Sequence, residues 1–383
     1  MTILLVGGGS GGHVAPLLAV AQELRKSSKT CRLVYVGEKS GKFVKMAVES
    51  EVFDEIRTVR AGKFRRYHGE SWLKIISDLK TLALNIRDFF FMIVGIFQSV
   101  LLVRKEKPDI AFIKGGFVGV PLGVACKVTG TKYITHDSDT VPGLANKIIA
   151  RWASWHAVGM PVDYYDYNKS KTSFTGIPID GQFKSVSIAD KNRFRDDLLI
   201  PHKSRVICIT GGSLGAARLN TALEPIMARM LVEDENIFVI HQTGSLSSKL
   251  YDNLSSKARQ RLILADFFND LYRYTGASDV IITRAGATTI AALASQKKSI
   301  IVVPNPMLTG GHQTKNAQHL EHSEAAVVVN ESDLEYKTVM GIIDKICADE
   351  DYSKKLASNL GLLARPNATR EIVDLILKNA KTG

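Results

Sequence analysis

A chain of 383 residues with 45% hydrophobic and 23% charged side chains is an ordinary folded composition, too long for one small core and too apolar for a disordered segment. Its formal net charge of +12 favours an anionic partner. Its four cysteines, Cys31, Cys126, Cys208 and Cys347, are widely spaced with no CxxC pair, which excludes a disulfide framework and a cysteine-based zinc site.

From the N-terminus the pattern alternates. β-Branched apolar runs at 3–6, 32–36, 110–114, 132–135 and 156–158 read as strands, separated by helical periodicity at 14–26, 43–50, 73–104, 118–129 and 143–153. The second half repeats the scheme, with strands at 206–210, 237–242, 261–265, 280–283, 300–304 and 326–329, and closing helices over 352–381. Alternation of this kind predicts parallel sheets with helices on both faces. We expect an N-terminal domain over 1–165, a second over 166–350 and C-terminal helices over 351–383 that pack back toward the first. The polar stretch 161–178 is the expected linker. The N-terminus enters a strand without the pattern of a signal peptide, which predicts a cytosolic chain.

Two glycine-rich turns stand out. Gly7-Gly8-Gly9-Ser10-Gly11-Gly12-His13 follows the first strand, and Gly211-Gly212-Ser213-Leu214-Gly215-Ala216 follows the first strand of the second half. Strand, glycine turn and helix N-terminus together suit phosphate: glycine lets the backbone approach an anion, and the helix dipole stabilises its charge. Two such turns predict two similar domains facing a cleft. One glycine turn alone does not specify the ligand, and Glu38 at the end of the second strand keeps a nicotinamide reading open, although GGGSGGH fits the dinucleotide fingerprint poorly. His13, at the mouth of the turn, is either a general base held neutral by the helix dipole or a capping residue.

Between 57 and 74 the chain gathers Arg57, Arg60, Lys63, Arg65, Arg66, His68 and Lys74, interleaved with Phe64, Tyr67 and Trp72. The uncharged run 89–103 follows. It is shorter than the ~20 residues of a bilayer span. Either it packs on the sheet, which its all-round apolarity favours, or it lies in a membrane interface with the basic loop on anionic lipid. Nucleic acid is not expected, because no binding motif accompanies the charge.

Nine blocks in order resemble one family: GGGSGGHVAPLLAVAQEL, GGFVGVPLGVACKVTG, HDSDTVPGLANKIIA, TGIPID, GGSLGAARLN, HQTG, DFFNDL, TRAGATTIAALA and GGHQTKNA. They are similar to those of MurG proteins, the UDP-N-acetylglucosamine transferases of glycosyltransferase family 28 that convert lipid I to lipid II in peptidoglycan synthesis. The resemblance implies a GT-B fold, an inverting transfer with no cofactor or metal, UDP-GlcNAc as donor, a polyprenyl-diphosphate sugar (lipid I) as acceptor, and peripheral association with the cytoplasmic face of the membrane through region 57–103. It implies His13 as the general base, and Ser10, Gly11 and Gly12 at the acceptor diphosphate or donor sugar. It further implies Asp139 at the donor sugar, Ser213 with Gly211, Gly212 and Gly215 at the diphosphate, and Phe268 at the uracil. Arg284, Ala287, Thr288 and Thr289 would form the nucleotide loop, with Gln313 and Asn316 near the sugar.

The chain departs from the family pattern at several positions. Ala292 stands where a glutamate holds the ribose, Asp180 where an arginine lies near the diphosphate, Asp139 where an asparagine reaches the sugar, and His312 where the first of two glutamines stands. A related transferase with another donor or lipid acceptor, or a non-catalytic nucleotide-sugar-binding scaffold, therefore stays open, and Arg284 or His312 is the expected compensation for the missing contacts.

Overall fold

The computed structural model describes residues 1–383 except 29, 40, 42, 65–77, 213–215, 245–249, 308–310 and 382–383. Two parallel sheets organise the chain. The first is seven-stranded, in the order β3-β2-β1-β4-β5-β6-β7, from β1 (Thr2–Gly7), β2 (Arg32–Glu38), β3 (Glu55–Val59), β4 (Ile110–Gly115), β5 (Tyr133–Asp137), β6 (Trp155–Val158) and β7 (Thr172–Phe174). The second is six-stranded, β10-β9-β8-β11-β12-β13, from β8 (Arg205–Thr210), β9 (Ile237–Gln242), β10 (Leu262–Ala265), β11 (Val280–Thr283), β12 (Ser299–Val302) and β13 (Val327–Val328). In each sheet the order reverses beside the first strand of that half, and ligands of open parallel sheets bind at such points, outside the carboxyl ends of the strands.

Burial explains the sequence pattern. Ile3, Leu4, Leu5 and Val6 of β1 are all fully buried, because helices cover both faces and no position in the strand can be polar. Helix α1 (Gly11–Ser27) lays Val14, Leu17, Val20, Ala21 and Leu24 on one face of the sheet, against Ile3, Leu5 and Leu33. Val118, Leu122, Ala125 and Cys126 of α4 (Gly119–Thr129) and the residue before it cover the other, with Leu4, Val6 and Ile113. A fully buried residue of this size contributes about 1.5 to 3 kcal/mol.

Several boundaries differ from the sequence expectation. β3 and β7 form where none was predicted; β3 has no fully buried alternation, only Val59 being buried, so its pairing with β2 decides it. The expected linker 161–178 contains β7, and one compact unit comprises 1–180, 307–312 and 365–383, the other 181–306 and 313–364. An expected boundary at 165/166 falls ahead of β7. The C-terminal helices divide between the units. Ile372, Val373 and Ile376 of α14 (Ala368–Lys381) complete the α1 core, while Leu356 and Leu360 of α13 (Glu350–Leu362) are buried in the second unit. Arg365 fixes the turn before α14 by donating from Nη2 to the Phe174 carbonyl at 2.9 Å.

Helix α3 (Leu79–Glu106) is longer than the uncharged run predicted. Within Thr81–Glu106 its most apolar 18-residue window has a mean hydropathy of 1.9, enough by length and composition to cross a bilayer. It extends through Arg87 and Asp88, which neutralise each other at 2.8 Å. One face of α3 is nonetheless part of the first unit. Asp88, Ser99 and Val103 are buried, and Gly95 is a glycine because any Cβ there would stand 1.9 Å from the Arg60 carbonyl oxygen.

Candidate active site

In the first unit, β1 ends at Gly7 and the chain turns through Gly9 at φ +82°. A Cβ on Gly9 would come within 2.6 Å of the Phe117 ring, so both sterics and backbone require glycine there. The adjacent strand β4 ends in a second glycine pair, and Gly116, at φ +77°, presses so closely on the first turn that a Cβ would lie 2.5 Å from the Gly8 carbonyl oxygen and 3.1 Å from His13 Nδ1. The register of β1 against β4 slips between Val6 and Gly7, which brings Gly7 opposite Gly115. Two glycine turns therefore meet around one imidazole.

That imidazole is oriented. His13 Nδ1 lies 2.9 Å from the Gly8 carbonyl oxygen and 3.1 Å from Ser10 Oγ. A carbonyl can only accept, so Nδ1 carries the proton and Nε2 keeps its lone pair. Burial pushes His13 down to about 4, the Lys114 ammonium adds to this, and the Gly8 carbonyl and Asp139 oppose it. Ser10 is the N-cap of α1 but makes no side-chain cap, because its hydroxyl turns to His13. Gly11, Gly12 and His13 form the first helical turn, at the positive end of the dipole.

Around this turn lie residues the sequence reading did not single out. Lys114 is 3% exposed and donates from Nζ to Ser138 Oγ at 2.7 Å. Burial pushes it down to about 8, while Asp137 and Asp139 pull it back up. Asp137 accepts from Asn146 Nδ2 at 2.9 Å, from the Gly143 N–H at 3.2 Å and from the Tyr167 hydroxyl at 2.9 Å, and burial nevertheless raises its carboxyl. Asp139 is half-buried, and its carbonyl accepts from the Tyr165 hydroxyl at 2.9 Å. His136 donates from Nε2 to the Gly176 carbonyl at 2.9 Å, which leaves its buried Nδ1 without a partner. The block HDSD marked this segment in the sequence; Lys114 carried no signal beyond its place before a glycine pair.

The second unit repeats the strand, turn and helix without the histidine. Gly211 and Gly212 follow β8, Gly212 has φ +77°, and a Cβ on Gly211 would lie 2.4 Å from that of Ala216. Ser213, Leu214 and Gly215 lie outside the described residues. Thr289 borders the turn, its Oγ1 3.8 Å from where a Gly212 Cβ would stand, and Ala287 and Thr288 open α10 (Ala287–Gln296) with it. Gln242, at the end of β9, donates to the Gly212 carbonyl at 3.3 Å and keeps its Oε1 buried without a hydrogen bond. Phe268 is buried, stacked on Tyr274 at 3.9 Å, so its ring belongs to the core.

Other expected ligand contacts are committed to the framework. Arg284 does not project as a spare cation for a diphosphate. Its side chain is 6% exposed, donates to the Val303 and Pro304 carbonyls, and forms an ion pair with Glu331 Oε2 at 2.8 Å. Glu331 also receives Arg218 at 2.6 Å, so this carboxylate ties the start of α7 (Ala217–Glu233) to the turn after β11. Gln313 accepts from the Asn305 N–H at 2.9 Å, and Asn316, 3% exposed, donates to the Ala285 carbonyl at 3.0 Å. Ala292 is buried in α10 and Asp180 is exposed at the end of the first unit.

Comparison with known proteins agrees with this arrangement in both halves. The N-terminal domain model of glycosyltransferase family 28 matches residues 3–157, and its C-terminal domain model matches 206–372. A protein of Flavobacterium psychrophilum described as UDP-N-acetylglucosamine--N-acetylmuramyl-(pentapeptide) pyrophosphoryl-undecaprenol N-acetylglucosamine transferase is 29% identical over 378 residues, covering 98% of this chain and 96% of that protein. The protein of the same description from Borreliella burgdorferi is 29% identical over 382 residues, covering 99% and 97%. Among solved structures, Acinetobacter baumannii MurG aligns with TM-score 0.68 at 22% identity over 98% of this chain and 99% of that one. The calicheamicin glycosyltransferase CalG4 aligns with TM-score 0.65 at 11% identity, covering 99% and 98%. These structural likenesses speak to the fold, two parallel-sheet α/β domains of the GT-B kind.

Proposed function

The chain belongs to glycosyltransferase family 28, and we propose that it transfers N-acetylglucosamine from UDP-N-acetylglucosamine to the 4-hydroxyl of the N-acetylmuramyl unit of lipid I, giving lipid II for peptidoglycan. The family models and the full-length similarity to transferases so described support this reaction. The observation that carries the mechanism is the hydrogen bond from His13 Nδ1 to the Gly8 carbonyl, which leaves Nε2 as a free base at the helix N-terminus.

In this reading Nε2 takes the proton of the acceptor 4-hydroxyl as its oxygen bonds to the anomeric carbon, and the bond from that carbon to the UDP oxygen breaks with inversion. The departing UDP carries the negative charge. The glycine turn and helix N-terminus after β8 stabilise it, and those after β1 receive the acceptor diphosphate. Ser10, Gly11 and Gly12 serve the acceptor side. Gly211, Gly212, Ser213, Gly215, Thr288 and Thr289 serve the donor phosphates, the Phe268 main chain the uracil, and Asp139, Gln313 and Asn316 the sugar.

Association with the cytoplasmic face of the membrane is part of the same proposal. Along α3, Leu82, Ile86, Phe89, Phe90, Ile93, Phe97 and Leu101 are exposed at helical spacing, an apolar stripe opposite the buried face. Arg60 and Arg87 lie over the Phe91 ring at 5.2 and 5.3 Å, beside that stripe, where anionic headgroups would meet them. The loop positions 65–74 lie outside the described residues.

A second reading, a different nucleotide-sugar donor, is favoured by one observation: Arg284, the expected substitute for the missing arginine, is taken up by Glu331 and two carbonyls. One experiment addresses both. Purified protein in detergent is given lipid I and, in parallel, radiolabelled UDP-GlcNAc, UDP-GalNAc and UDP-glucose. Lipid-linked disaccharide from UDP-GlcNAc alone supports the first reading, transfer from another donor supports the second, and no transfer from any overturns both.

A further inference from the structure

Lys114 is a buried charged group beside the first glycine turn that the reaction as described leaves unused. It sits on β4 immediately before the Gly115–Gly116 turn, the turn that presses on Gly8 and on His13 Nδ1. The residue is 3% exposed, and among the described residues the one hydrogen bond of its ammonium is to Ser138 Oγ at 2.7 Å. Gly7 lies between the two residues, since a Cβ on it would stand 3.2 Å from the His13 carbonyl oxygen and 3.5 Å from Lys114 Cβ, and the charged groups that act on His13 come from two elements: Lys114 from the end of β4, and Asp139 from the segment after β5. Its own turn adds only the Gly8 carbonyl and Ser10, and Glu38 at the end of β2 borders that turn at Gly8. Asp137 and Asp139 both face the ammonium and favour its charged form.

A cation fixed in a poorly solvated site acts strongly on its neighbours, because little water screens it. Protonating His13 would put a second positive charge beside it. We propose that Lys114 is a positioning residue of the transfer step: anchored on Ser138, its ammonium keeps the His13 imidazole neutral so that Nε2 is available to the acceptor hydroxyl. The direction of the His13 shift agrees, burial being the larger cause and Lys114 the second. The same repulsion speeds return of the abstracted proton to water, since a charged imidazole beside an ammonium is a stronger acid. This inference rests on the reading of His13 as the base, and its test is separable from that reading.

The full chain, labelled with carbon-13 at histidine Cε1, is titrated by NMR between about pH 8 and pH 5, with the His13 signal assigned by its loss in His13→Gln. In the unsubstituted protein the His13 signal should stay in its neutral position across this window. In Lys114→Met, which keeps length and removes charge, its midpoint should rise into the window, and the acid limb of kcat/KM should move up by the same amount. Lys114→Gln, which retains a donor for Ser138, carries the same expectation if the methionine variant does not fold. Ser138→Ala keeps the charge and should leave the His13 midpoint low. An unmoved midpoint in both Lys114 variants overturns the proposal, as does a Ser138→Ala shift equal to that of Lys114→Met, which would mean that local packing and not charge governs His13. A shift in the NMR titration without any glycosyl transfer upholds the control of the His13 charge by Lys114 and removes the transferase reading, and with it the role in the transfer step.

Discussion

His13 Nδ1 and the carbonyl oxygen of Gly8 are 2.9 Å apart, and this contact decides which nitrogen of the ring is basic. The carbonyl accepts from Nδ1, the second glycine turn packs against the same nitrogen, and only Nε2 remains for chemistry.

Replacing His13 with glutamine should therefore lower kcat by roughly a hundredfold to ten-thousandfold while KM for both substrates changes little, because a base contributes mainly in the transition state. Steady-state kinetics with lipid I and UDP-GlcNAc check this, and retention of full turnover would remove His13 from the mechanism.

Gly116→Ala should fail at two levels. Its φ of +77° costs about 1 to 2 kcal/mol with a side chain, and its methyl would push on Gly8 and on His13. Urea unfolding should show the stability loss and kinetics a lowered kcat. Gly143→Ala is the matched control, since its φ is −63° and nothing lies within 4 Å of an added methyl; it should be close to neutral.

On α3, Phe90 and Phe97 are 60% and 68% exposed, so Phe90→Asp with Phe97→Asp should leave the unfolding transition nearly in place and sharply reduce sedimentation with vesicles containing anionic lipid. Added salt should weaken binding of the unsubstituted protein. Val103→Asp, at a 2% exposed position, should instead destabilise the fold.

Removing the Arg284 guanidinium should act on stability more than on donor affinity. Arg284→Met leaves Glu331 with Arg218 as its remaining ion-pair partner and two carbonyls without their donor, and breaking a buried pair costs about 3 to 5 kcal/mol. Chemical denaturation and UDP calorimetry on the same variant separate the two effects.

Acid should destabilise the protein through its buried histidines. His156 is pushed down to about 4 and His241 to about 3, chiefly by burial, and His136 is lowered from the same cause. An unfolded histidine binds its proton near ~6.5, so below that pH the unfolded chain holds more protons than the native one. Stability is then full above about pH 6.5 and falls as the pH drops toward the native values. Urea midpoints measured across this range should decline steadily.

Much of the architecture was legible in the sequence, since fully apolar β-branched runs followed by helical periodicity leave few alternatives to a parallel α/β sheet. β3 and β7 were not legible. Glu55–Val59 has only one buried position and Thr172–Phe174 is three residues long, so neighbouring strands, not local pattern, make them strands. The polar segment at 161–178 resembled a linker because its 3-10 turns carry no periodicity, yet Arg365 from far along the chain closes on it at Phe174.

The sequence by itself determined the two glycine turns, the histidine at the mouth of the first and the helix that follows each, because these depend on backbone freedom and periodicity within a few residues. Only the tertiary structure decided that His13 is basic at Nε2, that Lys114 stands beside it, and that Arg284 is committed to Glu331. The physical reason is the sheet order. β1 and β4 are neighbours although about a hundred residues separate them, and the turn after β11 meets the segment after β13 through Arg284 and Glu331; such neighbours are joined by crossovers whose sequence does not record which side chains they bring together.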